Sequence, residues 1–425
     1  MRIAAPLTLP CGVTLRDRIA KAPMTEGLAN ERDDATEALA TLYRRWAEPG
    51  AGLLVTGNVM VDRRFLERSG NVVVDAASDE GALRAWSDAG SASDTLLMAQ
   101  LSHPGRQCTR FHASEPVAPS PVPLAIGGFF ARPRALEAYE IEALVDAFAG
   151  AAGRLKAAGF GAVQVHAAHG YLVSQFLSPR TNRRDDAWGG PLERRARFLL
   201  DIVAAVRRAV GPHFPVAVKL NAADFLRGGF EHHEAVSVAR WLAEAGIDLL
   251  EVSGGTYERV AFVDDHARAS ASREREAYFQ RYARDLKEAL GAVPLMLSGG
   301  FRTPAAMETA LASGEVDVIG LGRPFCVLPD VAARLRSGER ARLPTPERRL
   351  RVGPGPFGPA SPSRLVRSLN AQGATAWFYE QQVRLAHGAA PEARPGWAGA
   401  VLTRHLWQEI RRARARRRRR LVPVA

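Results

Sequence analysis

Short apolar runs alternate with longer amphipathic stretches along most of the chain, and the alternation repeats eight times. The runs are RIAKAPM (Arg18–Met24), GLLVTG (Gly52–Gly57), LLMAQL (Leu96–Leu101), GAVQVH (Gly161–His166), FPVAVKL (Phe214–Leu220), IDLLEVSG (Ile247–Gly254), VPLMLSGG (Val293–Gly300) and VDVIGLG (Val316–Gly322). Rich in Val, Ile and Leu, they read as strands buried on both faces, which is the habit of a parallel sheet. The segments before them, such as TEALATLYRRWAEP and EIEALVDAFAGAAGRLKAAGF, carry a helical period. Eight β/α units in about 320 residues predict a closed (β/α)8 TIM barrel of the α/β class.

A doubly wound open sheet is the structural alternative, and it would carry G-x-G-x-x-G just after its first strand. That pattern occurs only as GPGPFG (Gly353–Gly358), where two prolines and no preceding strand predict a loop. The periodic pattern ends near residue 340, so residues 1–340 are read as the barrel. Residues 341–410 are read as a Pro/Gly-rich linker and a helical extension. SRLVRSLNAQGATAWFYEQQVRLAHG forms the helices that pack back on the barrel, and residues 411–425 are an Arg-rich tail, either disordered or a solvated helix end.

Charge changes this picture little. The chain carries a formal +12, but residues 341–425 hold 17 Lys+Arg against 4 Asp+Glu, so the first 340 residues are close to neutral. The excess therefore says nothing about what a barrel site binds. It leaves the arginines of Arg411–Arg420 as a candidate contact for nucleic acid or an anionic surface. The three cysteines are scattered without a C-x-x-C, which excludes a disulfide framework and a thiolate metal site of ordinary spacing. No leader-like apolar segment opens the chain and no run is long enough to span a bilayer, so the expected location is cytoplasmic. A homo-oligomer is compatible with the sequence.

Barrel active sites lie at the C-terminal ends of the strands, and these ends are polar throughout: Thr25, Asn58, Gln100 to His103, His166, Lys219 with Asn221, Ser253, Ser298 to Gly300, and Gly320 to Arg323. The loops after strands seven and eight are the recurrent phosphate site of such barrels. There Gly299, Gly300 and Gly322 permit close backbone approach, and Arg323 adds a planar cationic fork. The stretch HAAHGY crowds His166, His169 and Tyr171 together. Metal binding lacks a nearby carboxylate or thiolate to complete a site. A packed structural pair remains possible, while the position at the barrel mouth favours paired donors to a developing oxyanion, with Tyr171 as a proton source.

These residues resemble the old yellow enzyme family of FMN-dependent oxidoreductases over roughly residues 1–340. The resemblance rests on HAAHGYLVSQFLSPRTNRRDDAWGGPLERRARFLLDIVAAVR, supported by RIAKAPMT, AQLSHPGRQ, FPVAVKLN, GIDLLEVSGG and GLGRPF. It implies FMN at the barrel mouth, its phosphate held by Gly299, Gly300, Gly322 and Arg323. Pro23, Met24, Thr25, Gly57 and Gln100 would line the isoalloxazine ring, with Thr25 near its O4. Lys219 would face the N1/C2 edge, where many members carry Arg. By the same resemblance NADH or NADPH reduces the flavin, and an electron-poor alkene then takes hydride at its β-carbon. His166 and His169 would hold the substrate oxygen while Tyr171 protonates the α-carbon. The aromatic that some bacterial members carry after the first strand is absent, with Gly27 and Leu28 in its place. The iron–sulfur and second-flavin modules of larger relatives have no counterpart either. A flavin dehydrogenase or demethylase running oxidatively is the enzymatic alternative.

Overall fold

The computed structural model describes residues 1–125, 128–253, 282–339, 342–359, 361–392 and 398–420. Gly254 and Gly255, named above at the end of the sixth strand, lie outside them. Eight parallel strands close into a barrel: β1 (Ile19–Lys21), β2 (Leu53–Met60), β3 (Leu96–Ser102), β4 (Ala162–Ala167), β5 (Val216–Asn221), β6 (Leu249–Ser253), β7 (Leu295–Ser298) and β8 (Val318–Leu321), with β8 pairing back onto β1. Each falls on one of the eight runs, and helices surround them, so the fold is a (β/α)8 barrel.

The alternation of side chains along the strands explains how one short sequence serves both core and site. Alternate residues of each strand, such as Leu97, Ala99 and Leu101 on β3 or Val216, Val218 and Leu220 on β5, face the helices in one continuous apolar layer. The residues between them face the barrel axis. At the closed end these are apolar: Met98, Ala162, Ala217, Leu249, Met296 and Val318 pack with Leu9 and Leu15. The last two belong to the plug formed by the antiparallel strands Leu7–Thr8 and Thr14–Leu15. Two residues further along each strand, the inward positions become Gln100, Gln164, Lys219, Glu251 and Ser298. Polarity thus rises toward the C-terminal mouth along the inward face of β3, β4, β5, β6 and β7.

Local signals set the helix ends. Thr36 accepts from Leu39 N at 3.2 Å at the start of helix Glu37–Ala47, and capping boxes Glu137/Glu140 and Glu231/Glu234 open helices Ala138–Ala157 and His232–Glu244. Beyond the barrel, GPGPFG forms a short 3₁₀ turn, Gly355–Phe357, within a loop. Helix Arg364–Ala386 then packs on helix Glu37–Ala47 and on the single turn Arg323–Val327, burying Trp377 and Phe378 with Cys326 and Leu350.

The arginine run differs from a free tail. It ends a helix, Ala398–Arg420, that continues unbroken through residue 410. Arg412 donates to Gly27 O at 2.8 Å, while Arg416 pairs with Asp33 at 2.6 Å and donates to Arg63 O at 2.7 Å. Long arginine stems lie along the protein surface while their heads find partners on the loops after β1 and β2. Among the described residues, no helix is long and apolar enough to cross a membrane.

Candidate active site

The inward polar positions join across the barrel. Gln100 Nε2 donates to Gln164 Oε1 at 2.7 Å, Gln164 Nε2 to Glu251 Oε2 at 2.9 Å, and Lys219 Nζ to Glu251 Oε1 at 2.6 Å. Strand register makes this chain possible, since Gln100 is level with Gln164 and Lys219 with Glu251. Gln164 and Glu251 are fully buried, so the carboxylate is tolerable only because Lys219 neutralises it and Gln164 takes its second oxygen. The ammonium at the barrel mouth is therefore one end of a neutral pair.

His166 sits one layer higher, level with Lys219. Its Nδ1 accepts from Ala168 N at 3.2 Å, which fixes the proton on Nε2. The turn that follows is strained: His169 holds φ +60° and Gly170 φ +76°. A left-handed non-glycine residue costs of order 1 kcal/mol and persists where its surroundings impose it. Here Asn221 Oδ1 accepts from His169 N at 3.1 Å, Gln107 Nε2 donates to His169 O at 2.7 Å, and Gln175 Nε2 donates to Gly170 O at 2.7 Å. The result sets three rings together, with centroids 5.1 Å apart for His166–His169 and 4.9 Å for His166–Tyr171. His169 Nε2 lies 2.7 Å from Ser253 Oγ.

Neither histidine carries charge at neutral pH. Burial above all, then the neighbouring His169 ring and the Lys219 ammonium, push His166 well below the usual imidazole range; burial and Lys219 push His169 down to about 3.

Beside this cluster lies a cavity of about 280 Å³, walled by Pro23, Met24, Lys219, Gly299, Gly322 and Arg323, with Ser253 and Ser298. Its chemistry fits FMN. Ser298 Oγ is buried at the cavity without a hydrogen-bond partner among the described residues, an unspent group awaiting a polar ligand. Gly299 holds φ +105°, and a side chain on Gly322 would begin 3.2 Å from Met24 Sδ, so side chains at these points would strain or fill the cradle. At one end of the cavity Glu347 Oε1 receives both Arg302 Nη2 at 2.9 Å and Arg323 Nη1 at 3.2 Å. Burial alone would raise the Glu347 carboxyl, but the two guanidinium groups overcome it and hold the group below its usual range. Two arginines against one carboxylate leave a net positive end.

Pro23, Met24, Lys219, Gly299, Gly322 and Arg323 thus share one cavity, whereas Thr25, Gly57, Gln100 and Gly300 are not among its walls. Thr25 Oγ1 donates to Glu67 Oε2 at 3.0 Å. Gly57 lets the loop after β1 lie against β2: a Cβ there would fall 2.5 Å from Thr25 Cα, and its N–H donates to Glu26 Oε1 at 2.8 Å. Gln100 is committed to Gln164. Sequence reasoning missed Arg302, which its place three residues after Gly299 could have signalled. It also missed Gln164, Glu251, Glu347 and Thr375, a further cavity wall from helix Arg364–Ala386.

A barrel with a cationic, glycine-lined cavity beside paired histidines and a tyrosine has the features expected of a flavin-barrel oxidoreductase. A profile of the NADH:flavin oxidoreductase / NADH oxidase family matches residues 2–341. The chain is 38% identical over 351 residues to the NADH-dependent flavin oxidoreductase iliE of Hypocrea jecorina (strain QM6a), covering 77% of this chain and 87% of that protein. It is 32% identical to the NADPH dehydrogenase of Bacillus cytotoxicus (strain DSM 22905 / CIP 110041 / 391-98 / NVH 391-98), with 76% and 88% covered. Among solved structures, the old yellow enzyme homologue from Zymomonas mobilis superposes with a TM-score of 0.66 at 26% identity, covering 80% and 94%. A 2-naphthoyl-CoA reductase complex superposes with a TM-score of 0.73 at 25% identity, and there the match spans 79% of this chain but 52% of the other. The chain belongs to the NADH:flavin oxidoreductase / NADH oxidase family, the old yellow enzymes, and is an NAD(P)H-dependent oxidoreductase with FMN as its cofactor.

Proposed function

We propose that the chain reduces electron-poor alkenes, α,β-unsaturated carbonyl or nitro compounds, with His166 and His169 gripping the substrate oxygen and Tyr171 supplying the proton. FMN, when bound, supplies the two-electron step, accepting hydride from NADH or NADPH and passing it to the alkene β-carbon. Pro23 and Met24 would flank its ring system, Lys219 its electron-rich edge, and Gly299, Gly300, Gly322, Arg302 and Arg323 its phosphate. Thr25, Gly57 and Gln100, expected to line the ring, would be held in place by the contacts described above.

The observation that carries this reading is the packing of His166, His169 and Tyr171 at the barrel mouth, with His166 Nδ1 taken by Ala168 N. A neutral imidazole with its proton fixed on Nε2, as in His166, donates a hydrogen bond to an oxygen without transferring the proton. Ser253 acts on His169 in the same sense: when its hydroxyl donates to Nε2, the ring proton resides on Nδ1. Negative charge developing on a substrate oxygen would then be held by two neutral donors, an arrangement worth about 10²–10³ in rate for each donor. The α-carbon must find its proton elsewhere, and Tyr171, whose ring packs edge-on to His166, is the neighbouring acid. A phenol is a weak acid, but a carbanion-like carbon is basic enough to take its proton.

The test is anaerobic reoxidation of the NADH-reduced enzyme by 2-cyclohexenone, compared with its His166→Ala variant. Rapid reoxidation by the wild type, slowed about 10²-fold in the variant, supports the reading. Absence of reoxidation by any enone or nitroalkene would refute it. Reduction of the oxidised enzyme by amine donors instead would point to the oxidative alternative.

A further inference from the structure

The family match ends at residue 341, yet the cavity wall does not. We propose that the extension beyond that point completes the cofactor site, and that Thr375 is a cofactor-contacting residue at the ribityl part of FMN. The inference rests on FMN binding in this cavity.

Three observations lead to it. Thr375 stands in the wall shared with Met24, Gly322 and Arg323, and it is exposed there. Its register is fixed two residues further on, where Trp377 and Phe378 are buried in a cluster that includes Cys326. Met24, itself a cavity wall, packs on that same cluster together with Leu369 and Ala374. Burying an aromatic pair of this size anchors the helix firmly, since truncating either side chain would leave a large cavity. Finally, the extension is tied to the loops that carry the site at points far apart in sequence. Glu347 joins Arg302 and Arg323, Glu409 pairs with Arg68 at 2.9 Å and accepts from Ser69 N at 2.9 Å, and Arg412 donates to Gly27 O.

The hydroxyl of Thr375 donates to Ala371 O at 3.0 Å, so toward the cavity it acts as an acceptor. A phosphate offers only acceptors, whereas the ribityl hydroxyls offer donors, and the ribityl chain is the matching group. Thr375 therefore contributes to binding of riboflavin as well as FMN, unlike Arg302 and Arg323, whose contribution requires the phosphate.

The test is equilibrium binding of FMN and of riboflavin to the full-length apoprotein, followed by flavin fluorescence. Thr375→Trp fills the wall position and is expected to weaken both ligands about tenfold or more. Leu365→Trp, ten residues back on the same helix at a position 69% exposed, is expected to change neither by more than about twofold. Thr375→Trp binding both flavins as wild type does would overturn the proposal. A Thr375→Cys variant gives an answer independent of bulk. Its modification by a thiol reagent, corrected for wild type, should be about tenfold slower in the FMN-bound enzyme than in the apoprotein. Equal rates with FMN bound would overturn the proposal. A wild-type chain that takes up no flavin would instead refute the cofactor reading itself.

Discussion

Replacing Lys219 by Met removes the cation that makes Glu251 tolerable. The pair is 2.6 Å apart with side-chain exposures of 5% and 0%, so no solvent is available to take over from the ammonium. The orphaned carboxylate then keeps only the bond from Gln164, and the loss expected for breaking one side of a buried ion pair is about 3–5 kcal/mol. Adding Glu251→Gln should recover most of this, because an amide satisfies Gln164 without burying a charge. Urea unfolding of the apoproteins at pH 7, followed by circular dichroism, measures both quantities. A single variant within about 1 kcal/mol of wild type, or a double variant no more stable than the single, would refute the view that this pair is a mutually dependent buried unit.

Two further outcomes follow from the same interior. Glu251→Gln in the FMN-bound enzyme leaves the Lys219 ammonium uncompensated beside the cofactor and should raise the flavin midpoint potential. A rise of about 30 mV would correspond to about 1.4 kcal/mol for two electrons, and an unchanged potential in spectroelectrochemical titration would contradict the assignment. His166 binds fewer protons folded than unfolded at any pH between its depressed folded value and about 6.5. Its contribution to stability is thus fully present above 6.5 and lost as pH falls, by up to about 1.4 kcal/mol per unit. A His166→Gln variant should flatten that part of the stability profile, and a profile equally steep in both proteins would count against a buried neutral imidazole.

Much of the site was legible in the sequence, and what was not has identifiable physical reasons. The eight strands announced themselves because each is a short apolar run that must be buried on both faces. HAAHGY declared itself because polar residues at a strand end face the barrel mouth. The long stretch after it proves to be scaffold: Asn182 donates to Phe176 O and Trp188 O, and Arg184 binds Asp186, bracing the loop after helix Leu172–Leu177. Glu251 and Gln164 were hidden because a strand's sequence gives the parity of its faces but not the register of its neighbours. The Lys219–Glu251 contact exists only once β5 and β6 are aligned. Composition misled at the C-terminus. RRARARRRRR reads as a solvated run, but Glu409, Arg412 and Arg416 recur at helical spacing on one face, and each meets a loop of the barrel. Thr375 carries no local signal at all, since its role depends on where a distant helix docks.

The central claim is that the substrate oxygen is held by the histidines while Tyr171 delivers the proton, and stopped-flow analysis of Tyr171→Phe separates these roles. Reduction of the bound flavin by NADH should proceed within about threefold of the wild-type rate, while reoxidation by 2-cyclohexenone falls by about 10²–10⁴. Equal losses in both half-reactions, or unimpaired reoxidation, would contradict the account.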